Sequence, residues 1–111
     1  MRQTLMETDT SPILQVQNLN LGFNMRQGMV NVLHGISFDL HRCKTTCIVG
    51  ESGSGKSVTA RAILNMVPRP GSINGGQILF NPDGLGKINL TSLDPRGKPI
   101  RKIRGGRIGM I

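Results

Sequence analysis

A run of eight consecutive residues carries the strongest chemical signal in this sequence. It matches the spacing G-x-x-x-x-G-K-[ST] at every fixed position. The run reads Gly50, Glu51, Ser52, Gly53, Ser54, Gly55, Lys56 and Ser57. Glycines at these positions let consecutive backbone N–H groups point inward as an anion nest. A side chain at the second or third glycine would hold a phosphate away or forbid the required dihedral angles. The pattern therefore predicts a cradle for a nucleoside triphosphate.

Two side chains at the end of the run extend this prediction. Lys56 is expected to carry its charge to the β- and γ-phosphates. Ser57 is expected to offer its hydroxyl oxygen to a magnesium ion that bridges the same phosphates. A helix that opens at Lys56 adds its unpaired N–H groups and a dipole of roughly half a positive charge. The carboxylate of Glu51 should point away, since it repels phosphate. The implied ligands are therefore ATP or a similar nucleotide, and Mg²⁺.

The neighbouring segments have the patterns needed to position such a loop. Residues 45–49 form a β-branched, mostly apolar run, which predicts a strand buried on both faces at the centre of a sheet. Residues 56–67 have helical spacing, and Pro68 prevents continuation. The apolar positions predicted to share one helix face are Ala60, Ile63, Leu64 and Val67.

The first forty residues predict an antiparallel hairpin. An alternating apolar pattern begins at Leu14, slips at Asn18 and resumes at Leu19, which indicates a strand with a bulge. Residues 24–28 form a polar turn. A second alternating segment follows, which Gly35 bends or divides. Its predicted shared face is Val30, Val32, His34, Ile36, Phe38 and Leu40.

Beyond the helix the signals are weaker. Residues 68–76 are rich in turn formers, and two short strands are predicted at residues 78–80 and 88–90. Residues 95–106 are basic, with one short helical turn expected, and residues 107–111 have the composition of a strand. Together these elements predict an α/β fold.

Composition limits the remaining classes. With 111 residues the chain has the size of one small domain. Its net charge is +8, and six basic residues fall between Arg96 and Arg107. A nucleic-acid or lipid-binding module is one alternative, but no aromatic residue interleaves the run to stack on bases. A solvated face is the favoured interpretation, and no nucleic acid is expected as a partner.

The cysteines and histidines predict no metal centre. Cys43 and Cys47 make neither a disulfide framework nor, with His34 and His41, a zinc site. We expect structural thiols in a reducing cytoplasm. No apolar stretch approaches the roughly 20 residues that span a bilayer, and none resembles a signal peptide.

The segment GESGSGKS, preceded by IV and followed by VTARAIL, resembles the Walker A region of ATP-binding cassette (ABC) proteins. The segments LQVQNLNLGF, VLHGISFDL, GGQILF and IRGGRIGMI are also similar to family segments, in the same order. The likeness is greatest to the oligopeptide and dipeptide importer branch. It implies an incomplete ABC-type P-loop NTPase: N-terminal antiparallel strands, then the P-loop strand and helix, then short strands. Residues 1–11 would be a flexible tail, and residues 12–111 the N-terminal portion of a nucleotide-binding domain.

The resemblance also implies a function and partners. Such subunits bind ATP and power peptide uptake at the cytoplasmic face of the bacterial inner membrane. They work in pairs, docked on transmembrane permease subunits. By position, the backbone from Ser52 to Val58 would hold the phosphates. Phe23 falls near the aromatic residue that stacks on adenine, with a core phenylalanine at a strand end as the alternative.

Two departures from the family pattern matter. Cys43-Lys44 stands where the family usually has Gly-Glu, so the local turn is expected to be strained. The chain ends at Ile111, before the position of the Q-loop glutamine, and the signature segment, Walker B acids and switch histidine do not occur in it. None of its acids follows a continuous apolar strand: Glu7, Asp9, Asp39, Glu51, Asp83 and Asp94. We therefore assign no catalytic residue and expect the chain alone not to hydrolyse ATP.

A different P-loop enzyme, such as a small kinase or a GTPase, is the other alternative. Those enzymes commonly place the P-loop strand near the N-terminus. Here about forty residues of hairpin-like sequence come first, as they do in ABC domains.

Overall fold

The computed structural model describes residues 11–48, 55–84 and 86–109, and within these ranges four strands form one sheet in the order β2-β1-β3-β4. Neighbouring strands in this sheet all run antiparallel. The elements in chain order are β1 (Pro12–Met25), β2 (Gly28–His41), α1 (Lys56–Ile63), β3 (Gly71–Phe80), β4 (Ile88–Asn89), a 3₁₀ helix (Leu90–Ser92) and α2 (Lys98–Ile103).

The bulge predicted in β1 is confirmed. Asn18 has a φ of 48°, and the pairing of β1 with β2 shifts register between Val16 and Leu19. A bulge inserts one residue into a strand and so changes which residues face the core. As a result Leu14 and Val16 before the bulge and Leu19 after it are all buried.

The prediction that alternate residues of β2 share one buried face is wrong for the half of the strand before Gly35. Gly35 has a φ of 63°, and the adjacent register shift places an additional residue in β2. One such residue moves the preceding side chains to the other face of a sheet. Leu33 is therefore buried while His34 is exposed. A second register shift lies between Leu21 and Gly22, and Val30 beyond it is exposed.

The strand predicted over residues 45–49 is not found. Residues 45–48 have no regular secondary structure and are exposed, and Val49 lies outside the described residues. A strand buried at the centre of a parallel sheet needs parallel neighbours on both sides to satisfy its N–H and C=O groups. The four strands of the described ranges pair only antiparallel, so none of them supplies such a ladder.

The helix that follows the loop is shorter than predicted. It ends at Ile63, because Asn65 adopts a φ of 54° and the Met66 N–H donates to the Arg61 carbonyl. This geometry is typical of a helix that closes with a left-handed residue. Of the predicted apolar face only Leu64 is buried. The buried side chains of this segment are Thr59, Ala62 and Leu64.

The later segments are more ordered than their sequence predicts. β3 has ten residues, because the segment predicted as turns pairs with β1 as far as Phe23 opposite Gly71. The short strand near residue 88 and the short helix in the basic segment are confirmed. Residues 107–109 form no strand, only an isolated bridge between Ile108 and Arg104, and residues 110–111 lie outside the described part.

The core connects the sheet to all the helical segments. Its buried side chains come from β1 and β3, with Leu33 from β2, Ala62 from α1, Leu90 from the 3₁₀ helix, and Ile100 and Ile103 from α2. Through Ala62, α1 packs on the same core as the sheet. Among the described residues, no helix is long and apolar enough to cross a membrane.

Candidate functional site

Gly55 joins the predicted phosphate loop to α1 in a conformation that requires glycine. It is the N-cap of the helix, with a φ of 95° and a ψ of 1°. It is also buried, and a Cβ at this position would lie 2.7 Å from Leu33 Cδ2. The backbone angle disfavours any side chain here, and a Cβ would also require the Leu33 methyl group to shift. The positive φ agrees with the expectation that this position needs the backbone freedom of glycine, and its role in holding phosphate stays a prediction.

Thr59 ties this glycine to the helix. Its N–H and its Oγ1 both donate to the Gly55 carbonyl oxygen, each at 2.8 Å. The side chain of Thr59 is buried. We did not select Thr59 from the sequence, although a threonine four residues after a helix N-cap has the spacing for this bond. Two bonds to one carbonyl hold the last loop residue in a fixed orientation.

The first turn of α1 is suited to an anion. Lys56 is half-buried and Ser57 is exposed, and the first turn contains no acidic residue. The early N–H groups of a helix have no acceptor within it and carry its positive dipole end. The N–H groups of Ser57 and Val58 belong to this turn. The described part of the site therefore fits a phosphate group.

The same turn fits magnesium only together with phosphate. In the described residues no group of three or more His, Cys, Asp or Glu side chains is arranged to hold a metal. Ser57 has an exposed hydroxyl, which can supply one oxygen ligand. Mg²⁺ is commonly bound by one or two protein oxygens plus substrate phosphates and water. The donor set at Ser57 is consistent with that mode.

An apolar cavity of about 200 Å³ borders the loop end of α1. Its β2 side consists of Leu33, Ile36 and Phe38, and Lys56 and Thr59 line the opposite side. Lys56, the predicted phosphate lysine, thus borders the same cavity as three residues of β2.

Phe23 lies elsewhere in the sheet. It is half-buried near the end of β1, opposite Val30 and Gly71, and packs against the core. A Cβ on Gly71 would lie 2.7 Å from both Phe23 Cε1 and Val67 Cγ1. These contacts support the packing alternative for Phe23. Its stacking on a base stays a prediction.

The other predicted loop residues lie outside the described residues. They are Gly50, Glu51, Ser52, Gly53 and Ser54.

The turn before the loop has the strain expected from its sequence. Cys43 has a φ of 57°, which is uncommon for a residue with a side chain. Arg42 holds this turn against the end of β3 by donating to the carbonyls of Asn81 and Pro82 at 2.6 and 2.8 Å. Cys43 and Cys47 are both free and exposed. The expectation of structural thiols stays a prediction.

Comparison with known proteins places these features in one family. The sequence model of the ABC transporter family matches residues 33–111. Dipeptide transport ATP-binding protein DppD of Bacillus subtilis (strain 168) is 40% identical over 100 residues, which are 89% of this chain and 28% of that protein. Oligopeptide transport ATP-binding protein OppD of the same organism is also 40% identical over 100 residues, which are 89% of this chain and 26% of OppD.

A third relative comes from another species. Probable D,D-dipeptide transport ATP-binding protein DdpD of Escherichia coli (strain K12) is 38% identical over 102 residues, 92% of this chain and 29% of that protein. The chain spans between a quarter and a third of the length of these curated relatives.

These matches confirm the predicted fold class, which is an incomplete α/β P-loop NTPase domain of the ABC type. They also favour this class over a small kinase or a GTPase. Because the family match covers residues 33–111 of 111, the chain belongs to the ABC transporter family.

Proposed function

We propose that this chain binds ATP with Mg²⁺, as part of the nucleotide-binding subunit of an importer for peptides or related solutes. One observation carries the proposal: Gly55, fixed by its left-handed backbone and by Leu33, places Lys56 and Ser57 in an acid-free first helical turn. The printed names of the relatives, which are ATP-binding proteins of dipeptide and oligopeptide transport, support the same assignment.

Each residue of the loop has a proposed role. The backbone N–H groups from Ser52 to Val58 hold the phosphate oxygens, and Lys56 neutralises the β- and γ-phosphates. Ser57 provides an oxygen to Mg²⁺, which neutralises charge on the phosphates when it is bound. The residues proposed to complete the loop backbone are Gly50, Glu51, Ser52, Gly53 and Ser54. Phe23 is proposed to stack on adenine.

The proposed partners follow from the relatives. A transport ATP-binding subunit acts with permease subunits and with a second nucleotide-binding domain. We propose peripheral association with the cytoplasmic face of the bacterial inner membrane.

Binding is tested by titrating a fluorescent ATP analogue in the presence of Mg²⁺ and following its anisotropy. Lys56→Ala should weaken binding at least about tenfold, because it removes the cation nearest the phosphates. Lys98→Ala is the matched control, since Lys98 is an exposed lysine on α2. It should change the affinity by less than about twofold. Equal affinity of the wild-type chain and Lys56→Ala would contradict the assignment.

We expect no magnesium-dependent ATP turnover by the 111-residue chain alone. Its acids within the described residues are Asp39, Asp83 and Asp94, and all three are exposed. Positioning water and metal for phosphoryl transfer needs acids placed in the site. Phosphate release above that of a Lys56→Ala preparation would overturn this expectation.

A further inference from the structure

A second concave surface lies between the end of β3, β4 and α2. We call it the α2 groove. It has a volume of about 240 Å³. Its floor is Phe80 and Ile103, its walls include Ile88 and Leu93, and its rim carries Lys102 and Arg107. None of these residues belongs to α1, so the groove is separate from the proposed nucleotide site.

The groove offers apolar surface of limited size. Phe80 and Ile103 are buried in the core, but Ile88 leaves 40% of its surface exposed. Cavities that take whole small-molecule ligands are commonly about 300–1,000 Å³. A volume of about 240 Å³ is below that range. It is sufficient for one large apolar side chain.

The rim of the groove is predominantly cationic. Lys102 and Arg107 line it, with Asp83 as its only acid among the described lining residues. Asp83 pairs with Arg107 at 3.3 Å, and both side chains are more than half exposed. Lys98 and Arg101 on the same helix are exposed as well. Even after the Arg107–Asp83 pair is discounted, a surplus of positive charge remains, which complements carboxylates.

We propose that the α2 groove is a docking site for an acidic segment of a partner protein. The segment inserts one large apolar side chain between Ile88 and Leu93, and its flanking carboxylates lie against Lys102 and Arg107. Charge complementarity selects the acidic partner, and the volume limits it to a single apolar anchor. An anionic lipid surface would meet the same cations but would not need a cavity of this size.

The test uses fluorescein-labelled peptides and the full chain, followed by fluorescence anisotropy. The probe Glu-Glu-Leu-Glu-Glu should bind. The variants Lys-Lys-Leu-Lys-Lys and Glu-Glu-Ser-Glu-Glu should each bind at least about tenfold more weakly, since one lacks the charge and the other the anchor. Vesicles of phosphatidylcholine with phosphatidylserine test the lipid alternative.

Two pairs of protein variants locate the site. Lys102→Glu should weaken binding of the acidic probe at least about tenfold, whereas Arg26→Glu makes the same charge change with less than about twofold effect. Arg26 lies in the β1–β2 turn, at the opposite end of β1 from Leu14, which pairs with Phe80. Ile88→Ser should also weaken binding, and Val30→Ser is its exposed apolar control.

Circular dichroism melting of each variant separates lost docking from lost folding. Absence of binding by the acidic probe to the folded wild-type chain would overturn the proposal. So would equal binding of the lysine peptide, equal losses in Lys102→Glu and Arg26→Glu, or binding to the vesicles in place of the peptide. A defect in nucleotide binding leaves these readouts unaffected, because the groove shares no residue with α1.

Discussion

Replacing Gly55 with alanine tests whether backbone and packing both require glycine at the end of the phosphate loop. A φ of 95° forces an L-residue into left-handed backbone, which costs roughly 1–2 kcal/mol. The added Cβ would also lie 2.7 Å from Leu33 Cδ2, and overpacking a core position costs roughly 1–3 kcal/mol. We expect Gly55→Ala to lower the free energy of unfolding by roughly 2–5 kcal/mol.

Two further variants separate the backbone cost from the steric cost. Gly35 has a φ of 63°, and a Cβ there would meet no described atom within 4 Å. Gly35→Ala should therefore cost only the backbone part, roughly 1–2 kcal/mol. In a Leu33→Ala background the clash with Gly55→Ala is removed, so that step should also fall to roughly 1–2 kcal/mol.

The free energies are measured by urea unfolding followed by far-UV circular dichroism, with unchanged m-values as the check for two-state behaviour. The same preparations are titrated with the fluorescent ATP analogue, because a displaced Gly55 also displaces Lys56. Equal losses in Gly55→Ala and Gly35→Ala would refute the steric argument. So would a Gly55→Ala cost that is the same with leucine and with alanine at position 33.

Three smaller predictions concern groups away from the loop. Arg104→Ala should lower the free energy of unfolding by roughly 2–4 kcal/mol in thermal melts, because its guanidinium donates to two carbonyls after α1, each at 2.9 Å. Arg101→Ala, on the exposed side of α2, should cost less than about 0.5 kcal/mol. Asp83→Asn should change stability by less than about 1 kcal/mol, since its ion pair is exposed. Cys43 and Cys47 should both react with Ellman's reagent without denaturant, because both are exposed.

Each of these has a contradicting outcome. Equal melting temperatures for the two arginine variants would mean that the carbonyl contacts contribute nothing. A large loss in Asp83→Asn would show that its surface pair is more strongly coupled than its exposure implies. A thiol that reacts only in urea would show that the segment between β2 and the loop is covered in solution.

Local sequence signals predicted the elements that depend on short-range chemistry. The slip in alternation identified the bulge at Asn18, and the glycine run identified Gly55 as the start of a helix. These features follow from backbone sterics and from side-chain periodicity, both of which are present in a few neighbouring residues.

Non-local pairing decided what those signals missed. The turn-rich segment before Ile78 becomes strand because β1 supplies it with a hydrogen-bonding partner, as far as Phe23 opposite Gly71. Residues 45–48 have strand composition but remain exposed, because strand propensity yields a strand only where a neighbouring chain segment completes the ladder. The same reasoning applies to Leu33, whose burial depends on the bulge at Gly35.

For the proposed site, the sequence by itself determined which chemistry is available: a glycine-rich loop, Lys56 and Ser57 in the spacing that suits phosphate and Mg²⁺. Only the tertiary structure decided that Gly55 lies against Leu33. Residue spacing specifies which groups follow one another along the chain. Contacts between β2 and α1 arise only after the sheet and helix pack, so no local pattern contains them.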